Sequence, residues 1–244
     1  MNGPAPIEES SIQRFGGVLA ELDEAIDWEI LAPVYCDGDA SGFFSEERRA
    51  AVTDAGLRIA SDLGEHLSPG GKSLYVGAAV AELAPMMFEA ILLGRKVAWI
   101  SIEGPEAEEL ARAIKSVDKR LPTPRTGDWR GSDLRPRDHL WMTSVLTDPE
   151  AFPALHDRLY DRQGTKDAVG GGKPKLERMK AAELVSNTLS ASSPNALLST
   201  TDEELLVWTP IVEAAGGTLK PMPTGRTSGL VGDVIRFCKL RPGR

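Results

Sequence analysis

The sequence predicts an α/β protein: a mostly parallel, seven-stranded sheet with helices on both faces, a C-terminal antiparallel hairpin and an N-terminal helical cap. Three observations carry this. From "KSLYVG" onward, short apolar runs alternate with amphipathic stretches of helical period, and repeated strand–helix units imply parallel strands covered on both faces. The tail holds two strand-like runs, "GTLKPMPTG" and "VGDVIRFCKL", joined by "RTSGL"; with no helix between them they must run antiparallel. The first 44 residues show helical spacing and turn formers but no strand pattern. That gives a cap over 1–44 and a sheet domain over 45–244.

Residues 1–7 carry no periodic pattern. Ile12, Phe15, Val18, Leu19, Leu22 and Ile26 fall at helical spacing. "DWEILAPVYCDGDASGFF" is rich in turn formers and reads as a loop or short helical turns. "SEERRAAVTDAGLRIASDLGEHL" is a helix: Ser45 is a good N-cap, Glu46 and Glu47 suit the positive helix end, and Val52, Gly56, Ile59 and Leu63 make an inner face. "KSLYVG" is a strand, "AELAPMMFEAILLG" a helix stopped by Gly94, and "KVAWISIE" the second strand. "GPEAEELARAIKSV" is a helix with Pro105 at its first position. Two prolines limit "LPTPRTGDW" to a short edge strand. "DHLWMTSVL" is a strand, and "DPEAFPALHDRLYD" opens a helix behind an Asp-Pro cap. "RQGTKDAVGGGKPK" matches no phosphate-binding loop, because Pro174 follows Lys173 where Ser or Thr is required; it reads as a surface loop. "LERMKAAELVSNTL" is a helix expected to turn Leu176, Met179, Ala182, Val185 and Leu189 inward. "NALLSTT" is a strand and "DEELLVWTPIVEAAGG" a helix ended by glycines.

Composition narrows the function classes. The net charge is −8 over 244 residues. A phosphate backbone wants a basic surface, so large nucleic acids are disfavoured as partners, and a small molecule or a protein is expected. The longest apolar stretch is broken by Glu82, Pro85 and Glu89, which argues against a membrane span. The N-terminus lacks the basic start and apolar core of a secretory leader. Cys36 and Cys238 are far apart and His66, His139 and His156 are scattered; no metal-ligating spacing results, and a cytoplasmic setting is expected. Whether copies of the chain associate is left open.

Chemistry in an open α/β sheet gathers at the C-terminal ends of the strands. After the first strand, Gly77 with Ala79 and Ala81 would let a ligand approach the backbone and the amides of the helix start; close strand–helix packing explains them equally well. After the second strand come Ser101 and Glu103, and a carboxylate placed there can accept two ribose hydroxyls. As an acid just before Pro105, Glu103 also suits a helix start. Asp128 could accept an adenine amino group with Trp129 packing on the ring, or serve as a turn residue. Ser144, with Thr143, ends the fourth strand and could meet a ligand; Asp148, before Pro149, is an N-cap or a residue facing substrate. His139 reads as structural.

Together these stretches resemble the class I S-adenosylmethionine-dependent methyltransferases, over roughly residues 45 to 240. "SLYVGAAVAEL" stands where that family has an acidic residue and a glycine-rich loop, "VAWISIEGPEAEELARAI" looks like its second strand with the ribose-binding acid, "TGDW" is similar to its adenine-contacting turn, and "RDHLWMTSVL" looks like its fourth strand. The resemblance implies a Rossmann-like fold and S-adenosyl-L-methionine as cofactor. It implies cofactor contacts at Tyr75, Gly77, Ala79, Ser101, Glu103, Asp128, Trp129 and Ser144, with Asp148 orienting or deprotonating the methyl acceptor. The chain departs from the family in Tyr75, which replaces the acid, and in Ala79 and Ala81, which replace glycines. It also has no Asn-Pro-Pro-Tyr-like motif, so amino-directed methylation of bases is not implied. A methyltransferase is one reading; a non-catalytic binding or scaffold protein of the same fold is the other. A nicotinamide-dependent oxidoreductase is disfavoured, since the three-glycine fingerprint is absent.

Overall fold

A computed structural model describes residues 7–36, 39–127 and 136–243. Asp128 and Trp129 lie outside the described residues. Contacts divide the chain into two units, one of residues 1–129 with 228–232 and one of residues 130–227 with 233–244.

The first unit opens with α1 (Glu9–Ala25), which buries Phe15, Val18 and Leu22. The segment read as a loop or short helical turns contains a helix, α2 (Trp28–Tyr35), capped by Asp27, whose carboxylate accepts from the Glu29 amide. Trp28, Leu31, Ala32 and Tyr35 recur at helical spacing, and Leu31 and Ala32 are buried. That apolar stripe overrides Pro33, which sits inside the helix. α3 (Glu46–His66) starts as expected, with the Ser45 hydroxyl accepting from the Arg48 amide, and buries Val52, Gly56, Ile59, Ala60 and Leu63.

Three parallel strands follow: β1 (Lys72–Val76), β2 (Lys96–Ile100) and β3 (Pro124–Arg125). Tyr75 pairs Trp99 and Val76 pairs Ile100, while the two-residue β3 sits beside Trp99 and Ile100 at the edge its prolines dictate. The connection from β1 to β2 changes pitch along its length. A 3₁₀ turn (Val80–Glu82) leads into α4 (Leu83–Met87), and a π turn (Phe88–Leu92) ends it. Pro85 lies in the first turn of α4, where its missing N–H costs no helix bond. α5 (Pro105–Val117) begins on proline and buries Ala107, Leu110, Ala113 and Ile114.

A buried polar network anchors this unit. Glu89, in the π turn, and Arg95 are both fully buried and paired at 2.8 Å. Glu89 also accepts from the Ser73 hydroxyl and from the Tyr75 hydroxyl at 2.6 Å. Arg95 Nη1 donates to the Ser68 carbonyl at 2.6 Å and Nη2 to the Lys72 carbonyl at 3.3 Å. Ser73 and Tyr75 share one face of β1 by strand alternation, so a single acid from the helix serves both.

The second unit contains β4 (Arg137–Met142), β5 (Ser192–Thr201), β6 (Thr218–Thr227) and β7 (Val234–Arg241), with α6 (Pro153–Leu159), α7 (Pro174–Ser190) and α8 (Leu205–Ala214). β4 and β5 are parallel; β5–β7 and β6–β7 are antiparallel, the expected closing hairpin. His139 is fully buried with Nε2 3.0 Å from the Ser199 hydroxyl.

The inner face of α7 corrects the sequence reading. Glu177, Ala181, Val185, Thr188 and Leu189 are buried, whereas Leu176 is 43 % and Met179 60 % exposed. The cause is Glu177, whose carboxylate accepts from the Leu155 amide at 2.9 Å and the Lys173 amide at 2.7 Å; a carboxylate so paired can be buried, and it turns the helix accordingly. The glycine-rich stretch is tied down as well. Asp157 accepts from the amides of Val169 and Gly170 at 2.8 and 3.0 Å, and those two bonds hold its carboxyl below the usual range. Gly170, Gly171 and Gly172 all have φ near +70° (72°, 74°, 74°), a region that L side chains avoid. At Gly172 an added Cβ would also lie 2.9 Å from the Ala154 amide nitrogen and against Glu177 Oε1. Gly172→Ala is therefore expected to cost at least about 2 kcal/mol by urea unfolding, from strain plus overpacking; Gly164→Ala shares the positive φ but meets open space and should cost less.

The seven strands are ordered β3-β2-β1-β4-β5-β7-β6. The sheet is mostly parallel with an antiparallel C-terminal hairpin and helices on both faces, a Rossmann-like arrangement.

Candidate functional site

Open α/β sheets hold ligands at the C-terminal ends of their strands. In the first unit, the chain leaves β1 through Gly77, which takes φ +67° and donates its amide to the Ile100 carbonyl at 2.8 Å. Glycine is needed there because the turn is left-handed. Ala78 is buried and its carbonyl accepts from Trp99 Nε1 at 2.9 Å. The next two amides point at carboxylates of the chain itself: Ala79 donates to Glu82 Oε2 at 2.9 Å, and Val80 to Glu106 Oε1 at 3.1 Å.

Glu106 stands in the first turn of α5, placed by Pro105 at the helix start. Its Oε1 also accepts from the Tyr35 hydroxyl at 2.5 Å. Among the described residues no hydrogen bond reaches Oε2. Burial raises the Glu106 carboxyl above its ordinary value, opposed by the Tyr35 and Val80 bonds. Burial, and next the Glu106 charge, lift the Tyr35 hydroxyl well above 10. Past β2, Ser101 donates its amide to the Arg125 carbonyl at 3.0 Å. Ile102 is 76 % exposed and Glu103 is exposed.

Of the residues singled out in the sequence, Gly77, Ala79, Ser101 and Glu103 thus follow the ends of β1 and β2. Tyr75 does not join them. It is fully buried, with its hydroxyl on Glu89, so the expected cofactor contact is corrected to a core role. Glu106 and Tyr35 were missed. Pro105 at N1 fixes where the next side chain points, and the Trp28–Tyr35 stripe marks a helix face; both signals were present in the sequence.

The second unit contributes its own cluster after β4. Ser144 has φ +56°, uncommon for a residue with a Cβ. Its hydroxyl donates to Asp233 at 2.9 Å, and the Tyr160 hydroxyl donates to the same carboxylate at 2.7 Å. His156 Nδ1 lies 2.6 Å from the Thr147 carbonyl, and the His156 ring is 4.8 Å from that of Tyr160. Asp148 accepts from the amides of Glu150 and Ala151 at 2.9 and 2.6 Å and closes a turn; α6 starts only at Pro153 behind Phe152, so the helix cap expected at Asp148 is corrected to a turn residue. Among the described residues no group of acids, histidines and cysteines could hold a metal ion, and no helix is long and apolar enough to cross a membrane.

No family model and no curated protein matches the chain. Solved structures do. Magnesium protoporphyrin IX methyltransferase of Synechocystis, solved with bound S-adenosylmethionine, superposes with TM-score 0.50 at 11 % identity, covering 91 % of this chain and 97 % of that one. A methyltransferase of Pyrococcus furiosus gives TM-score 0.47 at 14 % identity over 78 % and 83 %. TYW2 of P. horikoshii, solved with MeSAdo, gives 0.45 at 15 % over 78 % and 62 %. The chain thus spans less than two thirds of TYW2, as it does of another Pyrococcus horikoshii chain, matched over 64 % of its length. At 11 % identity the likeness to the Synechocystis enzyme, over nearly the whole of both chains, speaks to architecture: this chain has the class I methyltransferase fold.

Proposed function

We propose that the chain binds S-adenosyl-L-methionine at the ends of β1 and β2 and transfers its methyl group to a small molecule or a protein. The observation that carries this reading is Glu106. It is a half-buried carboxylate beside the β1 turn, with one oxygen fixed and the other open to the two hydroxyls of a ribose. The left-handed Gly77 turn fits a close-lying ligand, and exposed Ile102 is an apolar surface that an adenine could cover. Tyr75 is turned into the core, with its hydroxyl on Glu89. The residues fit the ribose end of the cofactor better than its amino-acid end, since the Ala79 and Val80 amides already serve Glu82 and Glu106.

When bound, the cofactor supplies an activated methyl group, so the protein's task is alignment and exclusion of water. We assign the helical segment 1–44 to a cap ahead of the sheet domain 45–244.

The occupied amides favour a second reading, a scaffold protein that keeps the fold and has closed part of the cofactor site with its own carboxylates. Calorimetric titration separates the two. The full chain should bind S-adenosylhomocysteine at one site, and Glu106→Gln, which removes the charge that strengthens the bonds to the hydroxyls and replaces one carboxylate oxygen by a donor, should weaken binding about tenfold or more. Absence of heat at millimolar ligand would support the scaffold.

A further inference from the structure

We infer that Tyr35 is a positioning residue of the site: its hydroxyl and the Val80 amide clamp one oxygen of Glu106 and so aim the other at a vicinal diol of the ligand. The inference rests on the reading of Glu106 as a ribose acceptor and adds a residue from the N-terminal segment to it.

The clamp is built from three separate elements. Tyr35 ends α2, Val80 opens the turn after β1, and Glu106 lies in the first turn of α5. Both donors converge on Oε1, at 2.5 and 3.1 Å. A carboxylate with one oxygen held from two directions loses its freedom to rotate, so Oε2 is fixed without being occupied. The phenol is itself held in place. Its ring stacks on Phe43 at 6.4 Å and meets Phe44 edge-on at 5.6 Å, Phe43 and Phe44 contact each other at 5.0 Å, and Phe44 packs on Trp28 at 4.9 Å. Arg48 lies over the Phe43 ring at 4.2 Å. Such contacts restrict both χ angles of an aromatic side chain, and the hydroxyl is aimed before any ligand arrives.

The charged form of Glu106 is the one that accepts two hydroxyls. The titratable groups facing it are Tyr35 from α2 and, beyond Tyr35, Glu82 from the turn after β1. On α5 itself Glu109 is engaged elsewhere, by the Asp27 amide at 2.6 Å and by Arg112. Burial favours the protonated carboxyl and the Tyr35 bond opposes it. Without Tyr35 the acid should hold its proton to higher pH.

Tyr35→Phe tests this, since the ring contacts stay and only the hydroxyl goes. In the ligand-free full chain, a carbon-detected NMR titration should show the Glu106 carboxyl midpoint moving up. Calorimetry should show S-adenosylhomocysteine binding about tenfold more weakly near neutral pH, with its 2′,3′-dideoxy analogue unaffected by the substitution. An unmoved midpoint overturns the proposal, and so does an equal loss for both ligands. A raised midpoint in a chain that binds neither ligand supports the clamp on Glu106 and overturns the ribose reading instead.

Discussion

Replacing Arg95 with methionine is expected to destabilise the chain by about 3–5 kcal/mol, the cost of stranding a buried charge. Arg95 and Glu89 are fully buried partners. Methionine would fill much of the space but offer Glu89 no positive charge. Glu89 would then lose its charged partner and keep the Ser73 and Tyr75 hydroxyls among its donors. The Ser68 and Lys72 carbonyls would lose the guanidinium as donor too. The added substitution Glu89→Gln should recover much of the loss, because a neutral amide still accepts from the hydroxyls and carries no charge to strand. Urea unfolding of the wild type, the single variant and the double variant measures both effects. A single-variant cost below about 1 kcal/mol, the scale of an exposed pair, would contradict the role assigned to the network.

The second large effect is a pH dependence centred on Glu204. It precedes α8 and is fully buried. Its carboxylate accepts from the Leu146 amide at 2.7 Å and the Thr200 hydroxyl at 2.9 Å. Burial outweighs these bonds and pushes its carboxyl up to about 7 from 4.5. Between those values the folded chain binds a proton that the unfolded chain has released. Stability from this group is complete below about pH 4.5 and falls as pH rises through about 7. The whole change is about 3 kcal/mol, from ~1.4 kcal/mol per pH unit. Glu204→Gln mimics the protonated acid: its oxygen can still accept from Leu146, and the Thr200 hydroxyl can rotate to accept from the amide. The variant should match the wild type near pH 5, exceed it at pH 8, and lose this component of the pH slope. A wild type whose stability rises steadily from pH 5 to 8, with the same slope in the variant, would refute the assignment.

The strands and helices were legible where one period dominates. β1, β2, β5 and the hairpin are short apolar runs between strong breakers, and α3 and α5 carry both a cap signal and a regular inner face. α7 was misread because its inward side includes Glu177, made buriable by the amides of Leu155 in α6 and of Lys173 just before the helix. α2 was legible only as a loop or short helical turns, because of Pro33 and its eight-residue length. At the site, the Gly77 turn could be read from a strand followed by small residues. The Tyr35–Glu106 bond could not, since it joins residues 71 apart and exists only once α2 has packed. Tyr75 shows the converse: its type stood out in the sequence, but the acid that accounts for it, Glu89, lies one helix later.

Crystals of the chain soaked with S-adenosylhomocysteine would show whether Glu106 holds the ribose. Density is expected for the nucleoside at the ends of β1 and β2, with the ribose hydroxyls on Glu106 Oε2, Tyr35 still bonded to Oε1, and Ile102 covered. A ligand bound elsewhere, or no ligand with Glu106 still holding the Val80 amide, would contradict it.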